Sequence, residues 1–307
     1  MRTPEYTSPP TVGMIGLGIM GSAMAANLVK AGFVVYGYDP VSASRRALKK
    51  AGGHACKSVA EVAQHTAHLL LSLPSEAALD QVCAELLATG LKGLIAAETS
   101  TLPEVCKLRN RDALAKQRIT LLDCPLSGTG AQALTRDLAV YASGNAKAIR
   151  ALHGVFEGFA RVRYDVGDFG NGMRMKLVAN LLVAIHNVSS AEAILMGARA
   201  GLDPATIVKV VADGAGGSRM LQVRGPMMVD RSWDQATMKV GIWQKDMKLI
   251  QELLQATDTP APLFSATLPI YNAAMAMGHA MDDTASVYDV LERWTQAAPA
   301  TKKKKSG

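Results

Sequence analysis

The chain has 307 residues, 49% hydrophobic and 19% charged, enough to bury a large core and to form two domains, which excludes a wholly disordered or low-complexity protein. Its formal charge of +7 falls to +3 once Lys302, Lys303, Lys304 and Lys305 at the extreme C-terminus are set aside, so neither a nucleic-acid partner nor a membrane surface is expected. Cys56, Cys83, Cys106 and Cys124 show neither CxxC nor Cys/His ligand spacing; no metal site and no disulfide framework is predicted, and a reducing cytoplasm is the expected compartment.

Residues before Thr11 include several prolines and no apolar core, so they do not read as a secretory signal. From Thr11 short apolar runs alternate with amphipathic stretches, as in successive βαβ units: TVGMIGL, VVYGYD, HLLLSLP, GLIAAETS, ITLLDCP and LAVYASG. The alternation predicts an α/β fold, with a Rossmann-type doubly wound sheet over residues 11–168. Directly after the first run, Gly16-Leu17-Gly18-Ile19-Met20-Gly21 leads into a helical stretch with Met24 and Leu28 facing inward. This is GxGxxG in the context its chemistry requires. The first glycine allows a tight turn, the second lets backbone approach a pyrophosphate, the third allows close helix–strand packing, and the helix start offers free N–H donors. The second run ends at Asp39, about 20 residues on, where a carboxylate accepts hydrogen bonds from the adenosine ribose hydroxyls. Arg45 and Arg46 lie several residues further along.

After Gly167 the β-branched runs stop, and Gly172 to Ala200 carries Leu177, Leu181, Leu182, Ile185 and Val188 at helical gaps. Further helices are set off by Gly201-Leu202-Asp203-Pro204, by Gly214-Ala215-Gly216-Gly217 and by Thr259-Pro260-Ala261-Pro262. Residues 169–298 are therefore predicted as an all-α domain and 299–307 as a basic disordered tail. The longest apolar run, Leu177 to Ile185, is interrupted by Asn180 and falls short of the roughly 20 residues that span a bilayer, so no transmembrane segment is predicted.

Four motifs now carry a family resemblance. GLGIMGSAMAANLVKAG resembles the GxGxMGxxMAxNLxKAG opening of β-hydroxyacid dehydrogenases, and Asp123-Cys124-Pro125-Leu126-Ser127-Gly128 resembles their substrate-binding DxPxSGG segment. Gly172 to Asn180 resembles their catalytic GxxxKxxxN, and Lys245-Asp246 their cofactor-side KD. The motifs occur in order across nearly the whole chain. The resemblance implies a long interdomain helix between the Rossmann and all-α domains, and homo-oligomers, either homodimers or homotetramers. It implies cofactor contacts along Gly16, Leu17, Gly18, Ile19, Met20 and Gly21 and at Asp39, Leu73-Pro74 beside the nicotinamide half, Thr101 of an STxxP-like turn near its ribose, and Lys245 near nicotinamide and substrate. The departures lie on the substrate side, where family glycines are replaced by Thr129, Gln132 and Arg136. NADP-using relatives place Asn-Arg-Thr where this chain has Asp39-Pro40-Val41, and Asp39 would repel a 2′-phosphate, so NAD rather than NADP is the expected cofactor.

Hydride transfer from an alcohol carbon requires the hydroxyl proton to leave, and the reverse requires a proton donor at the carbonyl, while the cofactor handles only the hydride. Lys176 and Asn180, four residues apart, project from one face of a helix, and Gly172 one turn earlier leaves room for close approach. A helical lysine is ordinarily a solvated charge; the apolar stretch and the matching motif assign Lys176 as general acid/base, with Asn180 beside it on the substrate oxygen. The loop after Pro125 offers backbone N–H groups and hydroxyls to a carboxylate substrate, with Ser127, Gly128 and Thr129 as its contacts. Arg219 is read two ways, as a further carboxylate contact or as a surface residue; His186 and His279 show no ligand pattern.

The function read from these residues is NAD-dependent oxidation or reduction of a small β-hydroxy acid or its semialdehyde, of the 3-hydroxyisobutyrate, tartronate semialdehyde or threonate kind. The turn before Arg219 and Asp282-Asp283-Thr284-Ala285 resemble threonate-type members. The competing reading is a noncatalytic dinucleotide-binding interaction module, whose members typically lose the lysine that Lys176 retains.

Overall fold

The computed structural model describes residues 9–295, so the basic tail expected at 299–307 lies outside the described residues. A six-stranded parallel sheet is built from β1 (Thr11–Ile15), β2 (Val34–Tyr38), β3 (His54–Ala55), β4 (His68–Leu71), β5 (Ile95–Glu98) and β6 (Thr120–Asp123), in the order β3-β2-β1-β4-β5-β6. That order reverses direction at β1, as in a doubly wound sheet. The connections are α1 (Ile19–Lys30), α2 (Ser42–Lys50), α3 (Val59–His65), α4 (Glu76–Ala88) and α5 (Glu104–Ala115).

Because helices cover both faces, the central strands are apolar on both sides and read as continuous runs rather than alternations. Leu69 and Leu71 enter one core with Val62, Leu79 and Leu86, while Leu70 enters the other with Met24, Leu28 and Phe156. Met24 and Leu28 are fully buried, as the helical spacing requires.

The first five apolar runs are all strands of this sheet, but the sixth is not. LAVYASG forms β8 (Ala139–Ala142) of a separate three-stranded sheet, antiparallel to β7 (Leu126–Ser127) and parallel to β9 (Val162–Asp165). The period of a strand does not specify its neighbours, and β7, with two residues, leaves no periodic signal. Around this sheet lie α6 (Gly130–Leu134), α7 (Ala146–Ala151) and α8 (His153–Phe159).

The rest of the chain is helical: α9 (Asn171–Arg199), α10 (Pro204–Asp213), α11 (Arg219–Asp230), α12 (Val240–Ala256), α13 (Pro262–Ala276) and α14 (Val287–Thr295). Asp203 caps α10 by accepting from Thr206 N, and Pro204 occupies its first turn, where a missing N–H costs nothing. The described residues fall into two compact units whose boundary lies inside α9, after Lys176. By length and composition α9 is apolar enough to cross a membrane. Several of its polar side chains are nevertheless buried, as in a core helix: the Asn187 amide donates to Thr284 O at 2.7 Å and to Tyr271 Oη at 3.2 Å.

The second unit is organised by a buried carboxylate. Asp283, fully buried, accepts from Arg224 Nε, Thr237 N, Met238 N and Ala285 N at 2.8–3.0 Å, and thereby fixes the approach to α12. Burial alone would raise its pKa, but the Arg224 charge and these donors hold it below the usual carboxylate range.

In the first unit the corresponding polar centre is Lys107 on α5, fully buried, with Nζ 2.7 Å from Glu98 Oε2 and 2.7 Å from Asp123 Oδ1. The bond to Asp123 is an aligned hydrogen bond, and a third donation goes to Ser100 O at 2.8 Å. Burial disfavours the ammonium, yet the two carboxylates outweigh it and raise the Lys107 pKa, so the side chain stays charged. Lys107→Met should strand two carboxylates in the core and lower the unfolding free energy by about 3–5 kcal/mol. Urea-induced unfolding checks this, and a loss below about 1 kcal/mol would assign the triad no stabilising role.

Candidate dinucleotide site and catalytic helix

Strand register puts the candidate cofactor residues of the first unit along one edge. Ile15 pairs with Tyr38 and Leu71, Leu71 with Glu98, and Glu98 with Asp123, so five strands end in one row. The segments that leave this row are Gly16–Gly21, Asp39, Ser72–Pro74, Thr99–Thr101 and Cys124–Gly128. Ligands of open parallel sheets bind at this carboxyl edge, next to the point where strand order reverses.

The glycine-rich turn has the shape a pyrophosphate needs. Gly16 has φ +90°, and a Cβ there would lie 2.1 Å from Ser72 O; at Gly21 one would lie 2.0 Å from Gly16 O. Those two glycines close the turn, whereas a Cβ on Gly18 would meet nothing within 4 Å, which leaves the open cradle. Gly18 caps α1 without any side-chain hydrogen bond, so Ile19 and Met20 begin the helix with backbone donors not taken by a capping side chain. Chemically and sterically, the turn fits a dinucleotide pyrophosphate.

Asp39 is buried and ties two segments together. Its Oδ2 accepts from Leu17 N and its Oδ1 from Val41 N, both at 2.8 Å. A carboxylate has about four acceptor positions, so these bonds orient Asp39 while leaving capacity for ribose hydroxyls. Arg45, several residues away in sequence, comes back to this turn because it sits in the first turns of α2: Nη1 donates to Asp39 O and, at 3.0 Å, to Pro40 O. Sequence spacing alone gave no sign of that return.

The other cofactor-side segments are tied together by the loop ends. Leu73 N donates to Ser100 Oγ at 2.7 Å, and Ser100 N donates to Glu98 Oε1 at 2.8 Å, which sets Leu73-Pro74 against the turn that carries Thr101.

Beyond β6 the chain turns through Ser127 and Gly128, the latter at φ +136° with Leu138 Cδ2 2.6 Å from an added Cβ. The departures from the family pattern have local structural reasons. Thr129 caps α6 in a reciprocal box with Gln132, whose amide also donates to Asp137 Oδ2 at 3.0 Å. Arg136 adopts φ +60°, a conformation suited to the glycine it replaces, and its guanidinium donates to Glu157 O.

The start of α9 is clamped onto this edge. Asp123 Oδ2 accepts from Met173 N at 2.7 Å, and Ser143 Oγ accepts from Gly172 N at 3.0 Å while donating to Asp123 O. At Gly172 a Cβ would lie 2.6 Å from both Asp123 O and Tyr141 O, so only glycine permits this approach. Lys176 follows one turn later and is buried. In the second unit Asn180, also buried, donates from Nδ2 to Asp246 Oδ2 at 2.9 Å. The carboxylate can only accept, so it fixes which side of the amide faces it. Lys245 is half-exposed with Nζ 3.9 Å from Asp246 Oδ1, and Arg219 is exposed at the first turn of α11, after the N-cap Ser218. Asp246 as the orienting partner of Asn180, and Lys107 behind Asp123, escaped the sequence reading because both act across long sequence separations.

Two family models match the chain. One, described as the NAD binding domain of 6-phosphogluconate dehydrogenase, covers residues 11–195, and one described as NAD-binding of NADP-dependent 3-hydroxyisobutyrate dehydrogenase covers residues 170–291. The chain is 32% identical over 290 residues to an L-threonate dehydrogenase of Escherichia coli, covering 91% of this chain and 94% of that protein. It is 28% identical over 291 residues to the NAD-dependent L-serine dehydrogenase of Pseudomonas aeruginosa, covering 92% and 97%. Its fold matches a crystal structure of 3-hydroxyisobutyrate dehydrogenase from Salmonella typhimurium with a TM-score of 0.82 and 28% identity, covering 92% of this chain and 99% of that one.

Gly18→Val separates binding from folding, since the added side chain meets open space and the extended backbone at Gly18 tolerates it. The variant should keep the wild-type melting temperature while NADH affinity, followed by fluorescence titration, falls by roughly tenfold or more, about 1.4 kcal/mol. Unchanged NADH affinity would place the pyrophosphate elsewhere.

Proposed function

This chain belongs to the β-hydroxyacid dehydrogenase family, and from that membership we propose that it transfers a hydride between NAD and a small hydroxy acid, or the matching semialdehyde, held by its carboxylate. Substrates of the 3-hydroxyisobutyrate, serine and threonate kind fit the proposal, since the relatives bear those names. The observation that carries it is a lysine buried one turn beyond a clamped helix start, a place where a merely solvated charge has no reason to be.

Bound nicotinamide supplies or accepts the hydride. In oxidation the Lys176 amine takes the proton of the substrate hydroxyl, and in reduction its ammonium returns a proton to the carbonyl oxygen. Asn180 gives one amide hydrogen to Asp246 and keeps the other for the substrate oxygen, which holds that oxygen toward Lys176. Backbone N–H groups of the loop and the Ser127 hydroxyl receive the carboxylate, Thr129 holding the loop through its capping box, with Arg219 as a further cationic contact. Lys245, by the family resemblance, is assigned as a cofactor contact. Retention of Lys176 supports this catalytic reading over a noncatalytic binding module.

A homodimer or homotetramer is part of the proposal, supported by Met175, Val178, Leu182 and Met196 exposed along α9. A reducing cytoplasm is supported by four free, buried cysteines.

Lys176→Ala should lower kcat by roughly 10² or more, the usual contribution of general acid–base catalysis, with NADH affinity nearly unchanged. Lys176→Arg should fail as well, since a guanidinium does not act as the base. Near-normal kcat in either variant removes Lys176 from the mechanism.

A panel of small hydroxy acids, their methyl esters and both nicotinamide cofactors tests substrate and cofactor together. Acids should react with kcat/KM far above the esters, and NAD should be preferred over NADP because Asp39 repels a 2′-phosphate. Esters that react equally well would remove the carboxylate-binding role of the Ser127 loop, and a preference for NADP would remove that of Asp39.

A further inference from the structure

Away from the strand-end row and the start of α9, the first unit brings together three metal-ligating side chains that the mechanism does not use. Cys56 follows β3, Glu61 lies in the first turn of α3, and His65 ends that helix, with one donor atom of each within 4.8 Å of the other two. From this juxtaposition we propose that Cys56, Glu61 and His65 form a binding site for a zinc-type divalent cation.

The donor set matches that chemistry. Thiolate, carboxylate and imidazole are the ligands zinc takes, at about 2.0–2.3 Å, which requires donor atoms roughly 3.3–3.8 Å apart in a tetrahedron. The present spacing, within 4.8 Å, is at most about 1.5 Å wider than that, and Glu61 and His65 stand at i and i+4 on one helical face. One thiolate and one carboxylate balance the two positive charges of the ion. Binding exchanges the Cys56 S–H bond for a sulfur–metal bond and releases the proton to solvent, with no change in oxidation state. A water completes the fourth position.

Outer contacts hold the ligands in place. Lys57 N donates to Glu61 Oε2 at 2.6 Å, and Glu61 N donates to Ser58 Oγ at 3.1 Å, so the first turn of α3 is fixed from both sides. The His65 ring stacks on Tyr36 with centroids 4.1 Å apart and planes 5° from parallel, which sets the ring while its nitrogens carry no hydrogen bond among the described residues. Cys56 is 3% exposed, whereas His65 is exposed, so a cation enters from the His65 side and meets the thiol last. Orientation of first-shell ligands by such partners is the usual arrangement at metal sites. The bland account of these residues, a capping box plus a stacked histidine, explains Glu61 and His65 one at a time but not why both converge on a buried thiol.

The test is a cobalt(II) titration of the tag-free, reduced full chain. A thiolate-to-cobalt charge-transfer band should saturate at one equivalent, disappear in Cys56→Ser, and be displaced by zinc(II). His65→Ala, at an exposed position, and Glu61→Gln, which keeps the acceptor for Lys57 N–H, should fold normally and weaken cobalt binding by roughly tenfold or more, the lower bound set by loss of even an outer partner. Zinc(II) should raise the melting temperature of the wild type but not of the variants, with NADH affinity unchanged throughout. No charge-transfer band in the wild type, or one that survives in Cys56→Ser, overturns the proposal.

Discussion

One fully buried carboxylate, that of Asp123, fixes the geometry on which the candidate catalytic helix depends. Its two oxygens divide the work: Oδ1 meets the Lys107 ammonium at 2.7 Å, and Oδ2 accepts the Met173 N–H at 2.7 Å. A charge in a core is costly unless paired and hydrogen-bonded, and here the pairing also satisfies a donor that the start of α9 would otherwise leave orphaned. The direction in which Lys176 leaves the helix follows from this clamp, since a helix pinned at its first turn has its later side chains fixed by the 3.6-residue repeat. Asp283 performs the same service in the second unit, gathering Arg224 and three backbone N–H groups ahead of the helix that carries Lys245 and Asp246.

What was legible in the sequence was whatever repeats or caps locally. The apolar runs became strands, Gly172 to Ala200 became α9, and Asp203-Pro204 opened α10. The tight turn assigned to Gly16 and the close packing assigned to Gly21 correspond to their surroundings, because those roles are properties of a single turn. Pairings across distance were not legible. Nothing near Lys107 in sequence announces Glu98 and Asp123, and nothing around Asn180 announces Asp246, 66 residues on. Cys56, Glu61 and His65 match no standard ligand spacing, and only the strand-to-helix turn brings them together.

The departures from the family pattern at Thr129 and Gln132 are absorbed by local hydrogen bonds. Thr129 and Gln132 replace glycines with a capping box, a local exchange of conformational freedom for hydrogen bonds. The segment Asp282-Asp283-Thr284-Ala285 carries a different lesson. Its likeness to threonate-type members rests in part on Asp283, whose carboxylate is wholly engaged inside the fold, so that likeness speaks to architecture rather than to the acid bound.

Arg45 folded over the Asp39 turn bears on how this chain would respond to engineering of its redox pool. The guanidinium already rests on the carbonyls of Asp39 and Pro40, with Cζ 6.0 Å from the Tyr38 ring centroid. Arginine is the side chain best matched to a phosphate, and here it is held beside the Asp39 carboxylate, to which we assign the repulsion of a 2′-phosphate. Replacing Asp39 would thus remove the repulsion and leave a cation in reach of the same turn. On the proposed role of Asp39, exchange of one cellular electron carrier for the other would start at this one position, where the bonds to Leu17 N and Val41 N would also have to be replaced.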